Sequence, residues 1–118
     1  MKLLTATLQA RLEENGRKQE PVRGTNDEID FAPVVKLFTP DGACTWLLSE
    51  IDSEYPDLAF GLCDLGMGCP ELGSVSLSEL AAVRGSLGLP IERDLHFSAD
   101  KTLTAYAEEA SRLGRINA

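Results

Sequence analysis

Three cysteines and one histidine are the side chains of this 118-residue chain with the most versatile chemistry. Cys63 and Cys69 bracket a glycine-rich stretch with C-x5-C spacing, and thiolates on such a loop can bind a metal ion. A structural zinc site needs four ligands, usually with C-x2-C or C-x4-C spacing, so Cys44 and His96 would have to complete the set through folding. We therefore expect no metal and no other cofactor, and we interpret the cysteines as small, partly buried thiols.

A small enzyme is the alternative interpretation of the same residues. Asp94 and His96 lie two residues apart on a predicted strand, so they face the same side, where the carboxylate can orient the imidazole. Catalysis would require Cys63, Asp64 and Cys69 to converge with this pair within about 4 Å. Nothing in the sequence brings a cysteine to the histidine, and the glycine-rich stretch lacks the phosphate-binding fingerprint. We assign no catalytic residue.

The formal charge of −8 is concentrated in one part of the chain. Residues 1–36 carry six basic and six acidic residues, and residues 84–118 carry five of each, so both flanks are neutral. Residues 37–83 contain no lysine or arginine and eight acidic residues. Such a charge distribution repels phosphate backbones and attracts basic protein surfaces. The predicted acidic binding surface consists of Glu50, Asp52, Glu54, Asp57, Asp64 and Glu71.

The first half of the chain reads as a helix, a loop and a set of strands. Leucines at three- and four-residue intervals predict a helix over residues 5–14 that ends at Gly16. The polar residues 18–30 have no periodicity and predict a loop, which a partner could order. Three strands, over residues 31–38, 43–51 and 58–63, are separated by turn-forming segments and predict an antiparallel meander with Trp46 in the core.

The second half predicts a glycine-rich loop, two helices and one more strand. Residues 64–73 contain three glycines and a proline and predict a loop. Ser76 and Glu79 form a capping box ahead of a short helix that ends at Gly85. Alternation over residues 91–97 predicts a strand, and an apolar stripe predicts a final helix over residues 101–113, capped by Ser98 or Asp100 and ended by Gly114.

The expected fold class is therefore α+β, a small antiparallel sheet of three or more strands packed by N-terminal, middle and C-terminal helices. We expect one domain over residues 1–118. It comprises a helix over 1–16, a polar loop over 17–32, a sheet with the glycine-rich loop and short helix over 33–97, and a C-terminal helix over 98–114. No apolar run approaches 18 residues and the first residues lack a signal-peptide pattern, so we expect no membrane contact and a cytoplasmic location.

Several stretches of the sequence resemble a known family. VVKLFTPDGACTWLLSEID, FGLCDLGMGCPELG and IERDLHF are similar to a bacterial family catalogued as domain of unknown function 2958. The resemblance covers about residues 36–110, and the first 30 residues fit it less obviously. It implies a small stand-alone protein carried on plasmids and integrative conjugative elements, and it implies no particular reaction or catalytic residues.

Charge and resemblance together predict a non-enzymatic accessory protein of mobile genetic elements that contacts a basic protein surface. A narrower form of this hypothesis is a DNA mimic with an anti-defence role, in which carboxylates stand where an enzyme expects phosphates. The alternative to a protein partner is nucleic-acid binding, for which the basic residues of the two flanks would have to gather in one patch. The sequence does not determine the oligomeric state.

Overall fold

The computed structural model describes residues 2–118 and contains three α-helices and one antiparallel sheet. The helices are α1 (Ala6–Gln19), α2 (Leu77–Ala82) and α3 (Leu103–Leu113). A single 3-10 turn, Glu20–Val22, follows α1. The strands are β1 (Val35–Phe38), β2 (Thr45–Ile51), β3 (Leu58–Asp64), β4 (Glu71–Ser76) and β5 (Glu92–Arg93).

The five strands form one sheet in the order β4-β3-β2-β1-β5, and all the pairings are antiparallel. The predicted meander is confirmed as β1 to β3. The register between β2 and β3 shifts between Leu48 and Glu50, as at a β-bulge, so Leu48 pairs with Gly61 and Glu50 pairs with Phe60. The predicted α+β class, with helices from both ends and the middle of the chain, is confirmed.

Both faces of the sheet are covered by helices. Leu47 and Leu48 are adjacent and fully buried, and they point to opposite faces as strand geometry requires. Leu48 packs in a core with Leu12 of α1 and the predicted core residue Trp46. Leu47 packs in a second core with Tyr106 of α3. The fold therefore has a helix layer on each side of the sheet.

Helix α1 begins at the N-cap Thr5, whose hydroxyl accepts the N–H of Leu8, and it runs five residues past the predicted end. Gly16 was expected to end this helix, and that expectation is wrong. A Cβ on Gly16 would lie 1.7 Å from the carbonyl oxygen of Ile51, so the glycine lets α1 approach the sheet closely. The extra turn carries Gln19, which shapes the cleft described below.

Three further boundaries differ from the predictions. β4 occupies residues that were assigned partly to the glycine-rich loop. The strand predicted over residues 91–97 is reduced to the two residues of β5, and α2 ends at Ala82 instead of Gly85. The cap of α3 is Thr102, whose hydroxyl accepts the N–H of Ala105, whereas Ser98 and Asp100 had been expected. Gly114 ends α3 with φ of 76°, as predicted.

Across residues 2–118, no helix combines the length and the apolar character needed to cross a membrane.

Candidate binding cleft

A cleft of about 570 Å³ lies between the segment 19–31, the strands β2 to β4 and the start of α3. Its lining includes four carboxylates and one guanidinium among the described residues, namely Glu28, Asp30, Glu50, Asp52 and Arg23. The rest of its lining comprises apolar side chains, several of them on the sheet, and the polar residues Gln19, Ser49, Ser74 and Thr104. The cleft therefore combines acidic and apolar groups.

Gln19 attaches the segment 19–31 to the end of α1. Its side-chain Nε2 donates to the carbonyl oxygen of Ile29, and its Oε1 accepts the N–H of Ile29, both at 2.8 Å. The side chain thus pairs with the backbone of Ile29 as a neighbouring strand would. Because Gln19 is only 5% exposed, the amide is held inside the protein and defines the wall of the cleft.

The other end of the segment is attached to α3. Leu103 donates its N–H to the carbonyl oxygen of Phe31 at 2.8 Å. Asp30 accepts hydrogen bonds from the backbone N–H and the hydroxyl of Thr104. Burial opposes the charge of Asp30, but the Thr104 hydrogen bonds outweigh it and lower its pKa. The loop predicted over residues 18–30 is therefore held by contacts within the chain.

Arg23 lies among the acidic groups of the cleft. Its guanidinium is 2.9 Å from a carboxylate oxygen of Glu20, 3.4 Å from one of Glu50 and 3.6 Å from one of Asp52. Burial lowers the pKa of Arg23, but these three carboxylates outweigh that effect and raise it. One cation therefore links acidic groups from the segment 19–31 and from β2.

Glu50 is the buried carboxylate of the cleft, with 5% of its surface exposed. Burial raises its pKa, while the hydrogen bond from Gln19 Nε2 (3.3 Å) and the charge of Arg23 work in the opposite direction. Asp52, one residue beyond β2, behaves differently. The backbone N–H groups of Tyr55 and Glu54 donate to its Oδ1 at 3.0 and 2.8 Å and lower its pKa. Two nearby carboxylates thus have pKa values shifted in opposite directions.

Several of the large apolar side chains in the cleft are exposed to solvent. Four large side chains that line it are accessible to solvent: Ile29 is 39% exposed, Leu58 36%, Phe60 36% and Leu72 42%. Phe60, in β3, pairs with Glu50 of β2, and Leu72 lies in β4, on the other side of β3. Exposed apolar surface beside polar groups is typical of binding sites.

The residues of the predicted acidic surface lie at two ends of the sheet. Glu50, Asp52, Glu54 and Asp57 surround the β2–β3 connection at one end, whereas Asp64 and Glu71 flank the β3–β4 connection at the other. Glu50 and Asp64 are buried, so these two are not surface groups as predicted. Whether any of the six binds a partner stays a prediction.

Asp64 is buried and its carboxylate accepts hydrogen bonds from two backbone N–H groups. Its carboxylate accepts the N–H of Gly66 at 2.8 Å and the N–H of Ile116 at 3.0 Å. The side chain therefore ties the β3–β4 connection to the segment after α3. Asp57 likewise accepts the N–H and the hydroxyl of Ser78, which lies in the first turn of α2.

The residues of the candidate thiol or metal loop lie in different parts of the fold. Cys63, in β3, packs against the core that contains Trp46, and burial raises the pKa of its thiol. Cys69 is exposed in the loop before β4. His96 follows β5, and β5 is separated from β3 by β2 and β1, about 14 Å away by strand spacing. Within residues 2–118, no three His, Cys, Asp or Glu side chains are grouped so that they could hold a metal ion.

Asp94, the carboxylate predicted to orient the imidazole of His96, contacts a backbone N–H and a lysine. Asp94 accepts the backbone N–H of His96 at 2.9 Å and forms an ion pair with Lys36 at 3.5 Å. The hydrogen bond from His96, ahead of the charge of Lys36, lowers the pKa of Asp94 although burial opposes this. The convergence of these side chains with Cys63 and Cys69, which the enzyme hypothesis requires, is not found.

Not all the basic residues of the two flanks share a face. Arg11, Arg17 and Lys18 belong to α1, and Arg112 belongs to α3 on the opposite side of the sheet. Arg23 lies within the acidic cleft. The patch that nucleic-acid binding would require is therefore divided between the two helix layers.

Comparison with protein-family models shows to which family the chain belongs. The model described as protein of unknown function (DUF2958) matches residues 3–117. The chain belongs to the DUF2958 family. The match includes α1 and the segment 19–31, which the sequence resemblance had related to the family less obviously. No curated protein and no solved structure matches the chain.

In this DUF2958 protein, the residues that shape the cleft were mostly not among the predicted site residues. Gln19, Arg23 and Glu28 lie in the polar segment that was predicted to be a loop, and Phe60 was predicted only as part of a strand. The available signal was the exposed alternation of β3, in which Leu58 and Phe60 share a face. Gln19 had no comparable signal, because its role depends on Ile29 and Glu50 being brought beside it.

Proposed function

We propose that this DUF2958 protein is a non-enzymatic binding protein whose cleft receives an arginine or lysine side chain of a basic protein partner. The observation that carries the proposal is the cleft lining, in which four carboxylates and one guanidinium stand beside exposed apolar side chains. The implied association with plasmids and other mobile elements is part of the proposal, and the cleft chemistry does not depend on it.

Long basic side chains can contact both the apolar and the acidic groups of such a cleft. Their aliphatic stems pack on apolar surface while the charged end stays at the polar edge. In this cleft, Phe60 and Leu58 are available to the stem, and an arginine over the Phe60 ring gains a cation–π contact. Asp52 can bind the charged end through Oδ2, because the turn N–H groups occupy Oδ1 and Arg23 is 3.6 Å from Oδ2. An acidic or phosphate-bearing ligand would be repelled by the same groups.

The arrangement favours one cation-binding cleft over an extended imitation of DNA. A DNA mimic needs exposed carboxylates in a regular series. Here the predicted acidic residues divide between the two ends of the sheet, and Asp64 is buried. We therefore restrict the proposal to the end at which Glu50 and Asp52 lie.

The test is titration calorimetry with a synthetic peptide of about eight residues that alternates arginine and valine. We expect binding that weakens as salt rises, because exposed charge pairs are screened. Asp52→Asn, which can keep the turn hydrogen bonds, and Glu28→Gln should each raise Kd roughly twofold to fivefold. A peptide that alternates glutamate and valine should not bind.

Glu92→Gln is the matched control, since it removes the same unit of charge from β5, at the opposite edge of the sheet from β4. It should change Kd by less than about twofold. If Glu92→Gln weakens binding as much as Asp52→Asn, attraction depends only on net charge and the cleft proposal fails. Absence of peptide binding at low salt would refute the proposed function altogether.

A further inference from the structure

The outer strand β4 has few of the features that usually protect the edge of a sheet. Edge strands commonly carry lysine, proline or a bulge that prevents pairing with another chain. The six residues of β4 include no lysine and no proline, and its register with β3 is continuous from Leu58–Ser76 to Cys63–Glu71. Its one charged residue, Glu71, lies at the end of the strand. β4 is therefore a regular strand with one side open to pairing.

The direction of the open backbone groups follows from the pairing. Leu77, which follows β4, donates its N–H to the carbonyl oxygen of Asp57, which precedes β3. On the other side of β3, Asp52 donates its N–H to the carbonyl oxygen of Leu58. Because antiparallel pairs alternate between hydrogen-bonded and non-hydrogen-bonded, Val75 and Gly73 bond to β3. The N–H and C=O groups of Ser74 and Leu72 consequently point away from the sheet.

Leu72 and Ser74 also connect this edge to the cleft. Both side chains line the cleft, and Ser74 pairs with Phe60 while Leu72 pairs with Leu62 of the α3-side core. A strand added beside β4 would therefore place every second side chain on the face that carries the apolar part of the cleft. The edge and the cleft form one continuous surface.

We propose that an extended basic segment of the partner protein adds to β4 as a sixth strand; this inference rests on the proposed function and specifies its binding mode. Charge selects this occupant. The edge begins at the exposed Glu71, and Asp57 and Glu79 lie near its other end, with no lysine or arginine between residues 37 and 83. A second copy of the chain would bring another formal charge of −8 to the same edge.

Amide hydrogen exchange with the arginine–valine peptide tests the inference directly. In the free protein, the amides of Leu72 and Ser74 should exchange rapidly, and those of Gly73 and Val75 should be protected by β3. Peptide binding should slow exchange at Leu72 and Ser74 at least tenfold, because only pairing along the open edge gives their N–H groups an acceptor.

A proline substitution provides an independent test. Ser74→Pro removes the outward N–H without breaking a bond to β3, which is a position that edge strands tolerate. It should weaken peptide binding about tenfold, whereas Ser74→Ala, which keeps the N–H, should change Kd by less than about twofold. Fluorescence of the buried Trp46 reports whether each variant is folded.

The outcomes separate the two proposals. Peptide binding that Asp52→Asn weakens, with no added protection at Leu72 and Ser74 and no effect of Ser74→Pro, would overturn strand addition and leave the cleft function standing. Protection of the same two amides when the protein alone is concentrated would identify a second copy as the occupant and also overturn the inference. Protection without any effect of Asp52→Asn would support strand addition and refute cation binding in the cleft.

Discussion

Replacing Gln19 with alanine should loosen the wall of the cleft. The amide makes two hydrogen bonds of 2.8 Å with the backbone of Ile29 and a longer one of 3.3 Å to Glu50. Each hydrogen bond contributes about 1 kcal/mol net, and Gln19 is almost fully buried. Water can reach Ile29, whose surface is 39% exposed, and can replace part of the loss. We therefore expect the free energy of unfolding to fall by about 2 kcal/mol.

The effect should be largest in the segment 19–31. In Gln19→Ala the N–H of Ile29 loses its acceptor, so this amide should exchange faster. The increase should exceed what the lower global stability of the variant would cause. The pKa of Glu50 should rise further, because the hydrogen bond from Gln19 favours its ionised form and would be lost. Urea denaturation followed by the fluorescence of Trp46 measures the global effect.

Gln9→Ala is the matched control on the same helix, since Gln9 is exposed. This variant should be as stable as the original protein within about 0.5 kcal/mol. The reasoning would be refuted if Gln19→Ala were no less stable than Gln9→Ala, or if exchange at Ile29 were unchanged. Either result would mean that the segment is held by its contacts to α3 and not by Gln19.

Two further predictions concern the elements beside the cleft. Gly16→Ala should destabilise the protein by about 2 kcal/mol in urea denaturation, because the new Cβ meets the Ile51 carbonyl and the gain in helix propensity offsets only part of the overpacking. Gly73→Ala, with nothing within 4 Å of the added Cβ, should be neutral or stabilising, and equal losses for both would contradict this view. For Asp57, hydrogen bonds from Ser76 and Ser78 lower its pKa in the folded state, so its stabilising effect is present above the unfolded pKa of about 3.9 and is lost as pH falls through the folded value. Asp57→Asn should therefore be less stable than the original protein at neutral pH, and this difference should shrink as the pH falls below about 3.9. A difference independent of pH would oppose this assignment.

Much of the fold could be predicted because local signals indicate it. The turn at residues 39–42, the hydroxyl of Ser76 that accepts the N–H of Glu79, and the left-handed Gly114 each depend on neighbouring residues only. Such short-range chemistry is legible in a sequence. The burial of Trp46 was predicted because aromatic residues on strands usually lie in the core, and it is confirmed.

The errors occurred where a residue's role depends on distant parts of the chain. Gly16 looks like a helix end until Ile51, 35 residues later, is placed against it. β4 reads as a continuation of the loop because the edge strand is half exposed on both faces and shows no apolar alternation. Thr102 caps α3 because the helix begins at Leu103, after the predicted start. The carboxylate of Asp100 instead accepts a hydrogen bond of 2.9 Å from the hydroxyl of Tyr106.

The candidate site illustrates why charge along the chain is a poor guide to charge in space. In an antiparallel meander, consecutive turns lie at alternate ends of the sheet, so a run of acidic turns is divided between both ends. That is why Asp64 and Glu71 are separated from Asp52. The neutral N-terminal flank contributes Glu28 and Arg23 to the same cleft. The acidity of the cleft is thus assembled from two segments, and Gln19, which carries no charge, holds them together through Ile29 and Glu50.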